Sequence, residues 1–273
     1  MLVYPKLNPV AINFGIFKVY WYGIMYLMAF LFFVYAGKWR LKKYGHSFLT
    51  KKLIDDFMFY GALGVIVGGR LGYCFFYEPI KYLTHPLDIL KTWTGGMSFH
   101  GGMLGVFIAI YFFAKSKKHG FFELSDFVAP LIPMGLFFGR IGNFINGELI
   151  GRVTTINLPW AMIYPQSGSM LPRHPSEIYE ALGEGLLLLL LLWIYASKPR
   201  KVGQVSGVFL IAYGMIRFCL EYFREPDYFL RDVVEKTGLS MGQWYCVPMM
   251  VAGGIIFYLA TKNKFFTKLD KSK

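Results

Sequence analysis

The sequence predicts an all-α fold, a polytopic membrane bundle of about seven transmembrane helices with a small extracytoplasmic cap. Three observations lead there. Hydrophobic residues fill 55% of the 273 positions, above the roughly 45–50% usual in soluble domains. The excess lies in long runs, such as "VYWYGIMYLMAFLFFVYAG" (19–37) and "LLLLLLLWIYA" (186–196), on the scale of the about 20 residues that cross a bilayer. Lys and Arg are bunched between these runs rather than spread along the chain.

Apolar patterning places the spans at 19–36, 53–77, 98–114, 124–145, 178–197, 203–223 and 244–260. They make one integral membrane domain over residues 1–273. More than half of the 29 Lys and Arg follow odd-numbered spans. Lys38, Arg40, Lys42, Lys43, Lys51 and Lys52 follow the first, Lys115, Lys117 and Lys118 the third, Lys198, Arg200 and Lys201 the fifth. Lys262, Lys264, Lys268, Lys271 and Lys273 follow the last. Basic loops mark the cytoplasmic side, so the N-terminus is expected outside and the C-terminus inside. The net charge of +13 is then a topology signal, and no nucleic-acid partner is expected. The first run lacks a basic leader and a small-residue cleavage site, so it is expected to remain as an anchor.

Residues 146–177 form the longest outward segment, with prolines at 159, 165, 172 and 175, and are expected to build the cap between spans 4 and 5. Ser176 reads as the N-cap of span 5, with Glu180 in its first turn. Cys74, Cys219 and Cys246 lie in or beside apolar segments without metal spacing, and buried free thiols are expected.

Polarity inside the spans is where function is sought, because charge at membrane depth is costly and faces a bundle interior or a wet cavity. Tyr213, Arg217, Glu221 and Arg224 are spaced by 4, 4 and 3 and share one helical face. Glu221 either neutralises its arginines or leaves a positive surplus able to hold an anion. "GRIGNFINGELIGR" (139–152) places Arg140, Asn143, Asn146, Glu148 and Arg152 among four glycines directly after membrane helix. Those glycines serve either close helix packing or an irregular backbone lining a cavity. His100, among glycines at the start of span 3, reads either as a hydrogen-bonded structural histidine or, near an arginine pair, as a general base. Arg70 lies in span 2, where "GGRLGY" (68–73) echoes "FGRIGN" (138–143). That echo reads either as an ancient duplication or as coincidence, and little rests on it.

Six stretches together carry a resemblance: "WYGIMYL" (21–27), "HGGMLG" (100–105), "GRIGNFINGELIGR", "LPRHPSEIYE" (171–180), "AYGMIRFCLEYFREPD" (212–227) and "SMGQ" (240–243). Over essentially its whole length the chain resembles the prolipoprotein diacylglyceryl transferases. The resemblance implies an enzyme of the bacterial inner membrane. It implies transfer of the sn-1,2-diacylglyceryl group of phosphatidylglycerol to the lipobox cysteine thiol in a prolipoprotein signal peptide. A thioether forms and glycerol phosphate is released, the first step of lipoprotein maturation. No metal or organic cofactor is implied. The family's functional positions carry over to Tyr22, His100, Arg140, Asn143, Glu148, Gly151, Arg217 and Glu221. Arg70, Tyr213 and Arg224 fit the pattern too.

Expected roles follow from the chemistry of these residues in the reaction that the resemblance implies. His100 takes the thiol proton, and Arg140 and Arg217 stabilise the leaving phosphate. Tyr22 and Asn143 orient the phosphate or its glycerol, with Arg70 and Tyr213 as further substrate contacts. Glu148 and Glu221 hold the arginines, Arg224 supports them, and Gly151 gives backbone access. A transporter with broken helices and a lipid-binding scaffold are the rival readings of the same embedded charges. A thioether-linked product from phosphatidylglycerol and a lipobox peptide separates them from the enzyme.

Overall fold

A computed structural model describes residues 2–15, 17–45, 50–92, 95–155, 158–226, 234 and 236–263. Lys264, Lys268, Lys271 and Lys273 of the basic tail lie outside the described residues. The seven expected spans are all helical: α1 (Trp21–Tyr44), α2 (Lys51–Phe76), α3 (Phe99–Ser116), α4 (Phe121–Asn146), α5 (Ser176–Tyr195), α6 (Gln204–Leu220) and α7 (Met241–Thr261). Five are long and apolar enough to cross a membrane, and α3 and α6 are shorter apolar helices. The chain divides into two compact units, Val34–Ser125 and the remainder, Met1–Phe33 with Asp126–Lys273.

In the Val34–Ser125 unit, α2 and α3 meet along a seam of glycines spaced four apart. A methyl group at Gly64 would lie 2.7 Å from the Gly105 carbonyl oxygen, and one at Gly72 would lie 2.7 Å from the Gly101 Cα. Only absent side chains allow such approach, the small-xxx-small contact of membrane helices. Thr50 and Ser98 cap the two helices by accepting from Leu53 N and Gly101 N, each at 3.2 Å. Phe57 and Phe113 close the far end edge to face, with ring centroids 5.4 Å apart.

In the other unit α6 packs on α7, and Asp126 caps α6 from a different helix. Its carboxylate accepts from Gly203 N at 2.6 Å, and from Ser206 N and Oγ at 2.7 and 2.6 Å. Ser240 and Gln243 form a capping box at the start of α7. Two small sheets sit on this unit. Strand β1 (Leu2–Val3) pairs in parallel with β4 (Met162–Ile163), which pairs antiparallel with β5 (Pro172–Arg173). A hairpin of β2 (Val10–Asn13) and β3 (Lys18–Tyr20) runs directly into α1. The cap expected over 146–177 is therefore built partly from the first residues of the sequence. Its core is Tyr4, Met162 and Tyr164, with Phe144 and Ile150 against it. The Tyr4 hydroxyl donates to the Phe144 and Ile145 carbonyls at 2.7 and 2.9 Å. Burial, with Glu177 adding, raises the Tyr4 and Tyr164 phenols above their ordinary range.

Two sequence expectations need correction. Ser176 is the first residue of α5 and not its N-cap; Pro175 holds that place without a side-chain bond, and the Ser176 hydroxyl instead donates to the Leu149 carbonyl at 3.1 Å. Cys74 and Cys246 are buried as expected, whereas Cys219 is exposed. The α2–α3 seam gives a first test. Gly105→Val forces the helices apart and is expected to cost about 1–3 kcal/mol or more, read as a lower unfolding midpoint in detergent. Gly61→Ala, with nothing within 4 Å of the added methyl, is expected to leave the midpoint unchanged.

Candidate active site

The embedded charges of the second unit form one lattice across α4, α5 and the end of α6. Glu184 Oε2 accepts from Arg140 Nε and Nη2 at 3.3 and 3.0 Å, and its Oε1 accepts from Arg217 Nη1 at 3.0 Å. Glu180 lies 2.9 Å from Arg140 Nη1, 2.7 Å from Arg217 Nη1 and 3.7 Å from Arg224 Nη1. Arg217 Nη2 also donates to Glu221 Oε2, and Glu221 Oε1 accepts from Ser240 Oγ at 3.0 Å. Tyr213, one turn before Arg217, lies within electrostatic reach of Glu184, Arg217 and Arg140.

Three arginines here meet three glutamates. The positive surplus inferred from α6 alone is thus corrected by two carboxylates from α5. The lattice is nonetheless polarised. The Glu180 and Glu184 side chains are fully buried, while those of Arg140 and Arg217 keep 16% and 12% exposure. The two α5 carboxylates are thus the deepest members of the lattice, and the two arginine side chains keep some contact with the surroundings. Each guanidinium has five N–H donors in a planar fork, more than these carboxylates engage.

Sequence reasoning missed Glu184, and it read Glu180 only as a first-turn acid. The signal was present as Glu177, Glu180 and Glu184 at intervals of three and four in an otherwise apolar helix. What obscured it is the backbone. Residues Ala181–Leu187 form a π-helical stretch, a wider turn that is often found at functional sites.

The glycine-rich stretch after α4 is a reversal. Gly147 ends the helix at φ 66°, and Leu149 also takes a positive φ of 61°. The Leu149 carbonyl is held by Ser176. Buried Asn143 donates through Nδ2 to Glu148 Oε1 at 2.8 Å, and Asn146 Nδ2 reaches the same oxygen at 3.3 Å. Glu148 therefore orients two asparagines, and among the described residues it holds no arginine, unlike the expectation. That task belongs to Glu180, Glu184 and Glu221. The Tyr22 ring lies against Gly142. Tyr22, Pro9, Tyr20, Asn146 and Glu148 line a cavity of about 370 Å³.

Gly151 also differs from expectation. It pairs with Arg224 as an antiparallel bridge, and Arg152 N donates to the Phe223 carbonyl at 2.9 Å. A methyl group at Gly151 would overlap the His174 carbonyl and lie 2.7 Å from that of Phe223. The close approach it permits is used by the protein's own strands. Nearby, His174 Nδ1 is 3.3 Å from the Tyr179 hydroxyl, which accepts from Trp160 Nε1 at 2.7 Å. Burial pushes the His174 imidazole below its ordinary range.

His100 and Arg70 belong to the Val34–Ser125 unit. His100 is exposed in the first turn of α3, next to the Ser98 cap. Arg70 is buried, and its fork is committed to backbone: Nε to Ile89 O at 2.9 Å, Nη1 to Gly95 O and Gly96 O at 2.5 and 3.2 Å, and Nη2 to Asp88 O and Lys91 O at 2.6 and 3.1 Å. The substrate contact expected of Arg70 is corrected accordingly. It staples the connection between α2 and α3.

Comparison with known proteins agrees with this architecture. Residues 9–259 match the family model described as prolipoprotein diacylglyceryl transferase. A phosphatidylglycerol–prolipoprotein diacylglyceryl transferase of Polaromonas sp. (strain JS666) is 53% identical over 269 residues, covering 96% of this chain and 97% of that one. Proteins of the same name from Polynucleobacter asymbioticus and Polynucleobacter necessarius are each 56% identical, covering 96% and 98% of this chain and 98% and 100% of their own.

Glu184 offers a direct test of the lattice. Glu184→Ala leaves Arg140 and Arg217 short of a buried counter-charge, and breaking such a pair typically costs about 3–5 kcal/mol. A marked fall in the unfolding midpoint is expected in detergent. In a double-mutant cycle with Arg140→Ala, the two losses should be clearly non-additive.

Proposed function

This chain belongs to the prolipoprotein diacylglyceryl transferase family and transfers a diacylglyceryl group from phosphatidylglycerol to prolipoproteins, and we propose that the arginine edge of its charge lattice is where the lipid phosphate departs. The acceptor in this reading is a lipobox cysteine of a signal peptide in the inner membrane, with the cap and the N-terminus outside and the C-terminus in the cytoplasm. The basic loops between spans support that orientation. One observation carries the reading of the site: the Arg140 and Arg217 side chains keep some exposure, whereas Glu180 and Glu184 are fully buried.

The chemistry is a displacement at the glyceryl CH2 that bears the phosphate. The cysteine sulfur forms a bond to that carbon, the carbon–oxygen bond to phosphate breaks, and its electron pair leaves with glycerol phosphate. Negative charge grows on the departing oxygen. Pre-oriented forked donors from Arg140 and Arg217 stabilise it without reorganising, since Glu180 and Glu184 already fix both planes. Tyr213 and Tyr22 orient the lipid beside them, and Arg224 keeps Glu180 in place. A free thiol has a pKa of about 8.5 and attacks as its thiolate, so a base is needed. His100, exposed at the start of α3, is assigned that proton.

Two measurements test these assignments. Arg140→Lys keeps the charge but loses the planar fork. Single-turnover transfer to a lipobox peptide at saturating phosphatidylglycerol is expected to fall by roughly ten- to a hundred-fold or more. Near-normal transfer by a folded variant would move the phosphate to Arg217 alone. His100→Gln cannot take the thiol proton and is expected to lower turnover by roughly a hundred-fold or more while lipid binding persists. Near-normal turnover by a folded variant removes His100 from proton transfer.

A further inference from the structure

We infer that the cavity lined by Pro9, Tyr20, Tyr22, Asn146 and Glu148 is a subsite for a small polyol head group, and that Glu148 reads its terminal hydroxyl. The inference rests on the lipid phosphate lying at the arginine edge. Three observations lead to it. First, the cavity of about 370 Å³ is within the range of small-molecule sites, and Asn146 and Glu148 bring polar groups to its lining. Second, Glu148 is anchored on one oxygen only. Its Oε1 accepts from Asn143 and Asn146 at 2.8 and 3.3 Å, whereas Oε2 is engaged by no described residue. A carboxylate clamped through one oxygen presents the other at a fixed position to a donor. Third, Asn143 follows Arg140 by three residues on α4, a rise of roughly 4.5 Å. Asn143, the residue that holds Glu148, is thus about one helical turn from Arg140 along α4, on the scale of a three-carbon group esterified to phosphate.

The walls suit such a group. The Tyr22 ring, backed by Gly142, and Pro9 supply apolar faces for carbon. Pro9 is held to the start of α1 by its carbonyl, which accepts from Trp21 N at 2.9 Å. A glycerol head offers a donor to the exposed Glu148 carboxylate. A head ending in methyl would desolvate Oε2 and return nothing, and sites built around a hydrogen bond reject analogues that lack it.

The test compares two lipids in one protein. Transfer to a lipobox peptide is measured from phosphatidylglycerol and from its 2-hydroxypropyl analogue, which lacks only the terminal hydroxyl. The unaltered protein is expected to prefer phosphatidylglycerol in kcat/KM by roughly ten- to a hundred-fold, the range of one hydrogen bond to a charged group. Glu148→Ala should slow phosphatidylglycerol far more than the analogue and bring their ratio close to one. A merely structural Glu148 would slow both equally and keep the ratio, which overturns the inference, as does equal use of both lipids by the unaltered protein. If the unaltered protein transfers from neither lipid, the reading of the reaction itself fails. Should Glu148→Ala not fold, inhibition of the unaltered protein by glycerol phosphate and by 2-hydroxypropyl phosphate decides. At least ten-fold tighter inhibition by glycerol phosphate supports the subsite, and equal inhibition overturns it.

Discussion

Everything at the embedded site depends on one constraint: three guanidiniums and three carboxylates have been taken out of water together. Desolvating ions is expensive, and their attraction compensates only when geometry is good and remaining hydrogen-bond positions are filled. Glu184 meets this by serving two arginines from two helices at once. Glu180 does so with three, and Glu221 is completed by Ser240 at the head of α7. Each link fixes the separation of a helix pair. The lattice is thus both the cross-brace of α4, α5, α6 and α7 and the device that aims the arginines.

Much of this was legible in the sequence, for physical reasons. Hydropathy located all seven helices because a bilayer demands length and apolar content whatever the fold. The cost of burying charge singled out Arg140 and Arg217, which do come together. Glu184 was present in the sequence at helical spacing from Glu177 and Glu180, but the π-helical turn that presents it to both arginines was not. Glu148 and Arg70 were legible as polar residues in unusual places, but their partners were not. Glu148 turns to asparagines two and five residues away, and Arg70 to backbone carbonyls. Carbonyls leave no mark in a sequence.

Glycine shows how one residue type can serve different ends within one chain. Between α2 and α3 its absent side chain lets two helices approach along a straight seam. At Gly151 it lets three irregular segments meet backbone to backbone, tying the reversal after α4 to the end of α6 and to residues 173–174. The echo of "GGRLGY" in "FGRIGN" divides along the same line. Arg70 faces a loop's carbonyls and Arg140 faces carboxylates, so similar letters carry dissimilar electrostatics.

The parallel pairing of β1 with β4 has a consequence in time. Leu2 and Val3 find their partners at Met162 and Ile163, about 160 residues further along, and the Tyr4 hydroxyl waits for the carbonyls of Phe144 and Ile145. At ribosomal rates of roughly 5–20 residues per second, that is a wait of about ten to thirty seconds. Over this interval an apolar strand and a tyrosine that end up in the cap core stay unpaired while helices are threaded into the bilayer. Residues 2–4 are made well before the partners that seat them, so the cap closes only over a bundle whose fourth helix is already in place.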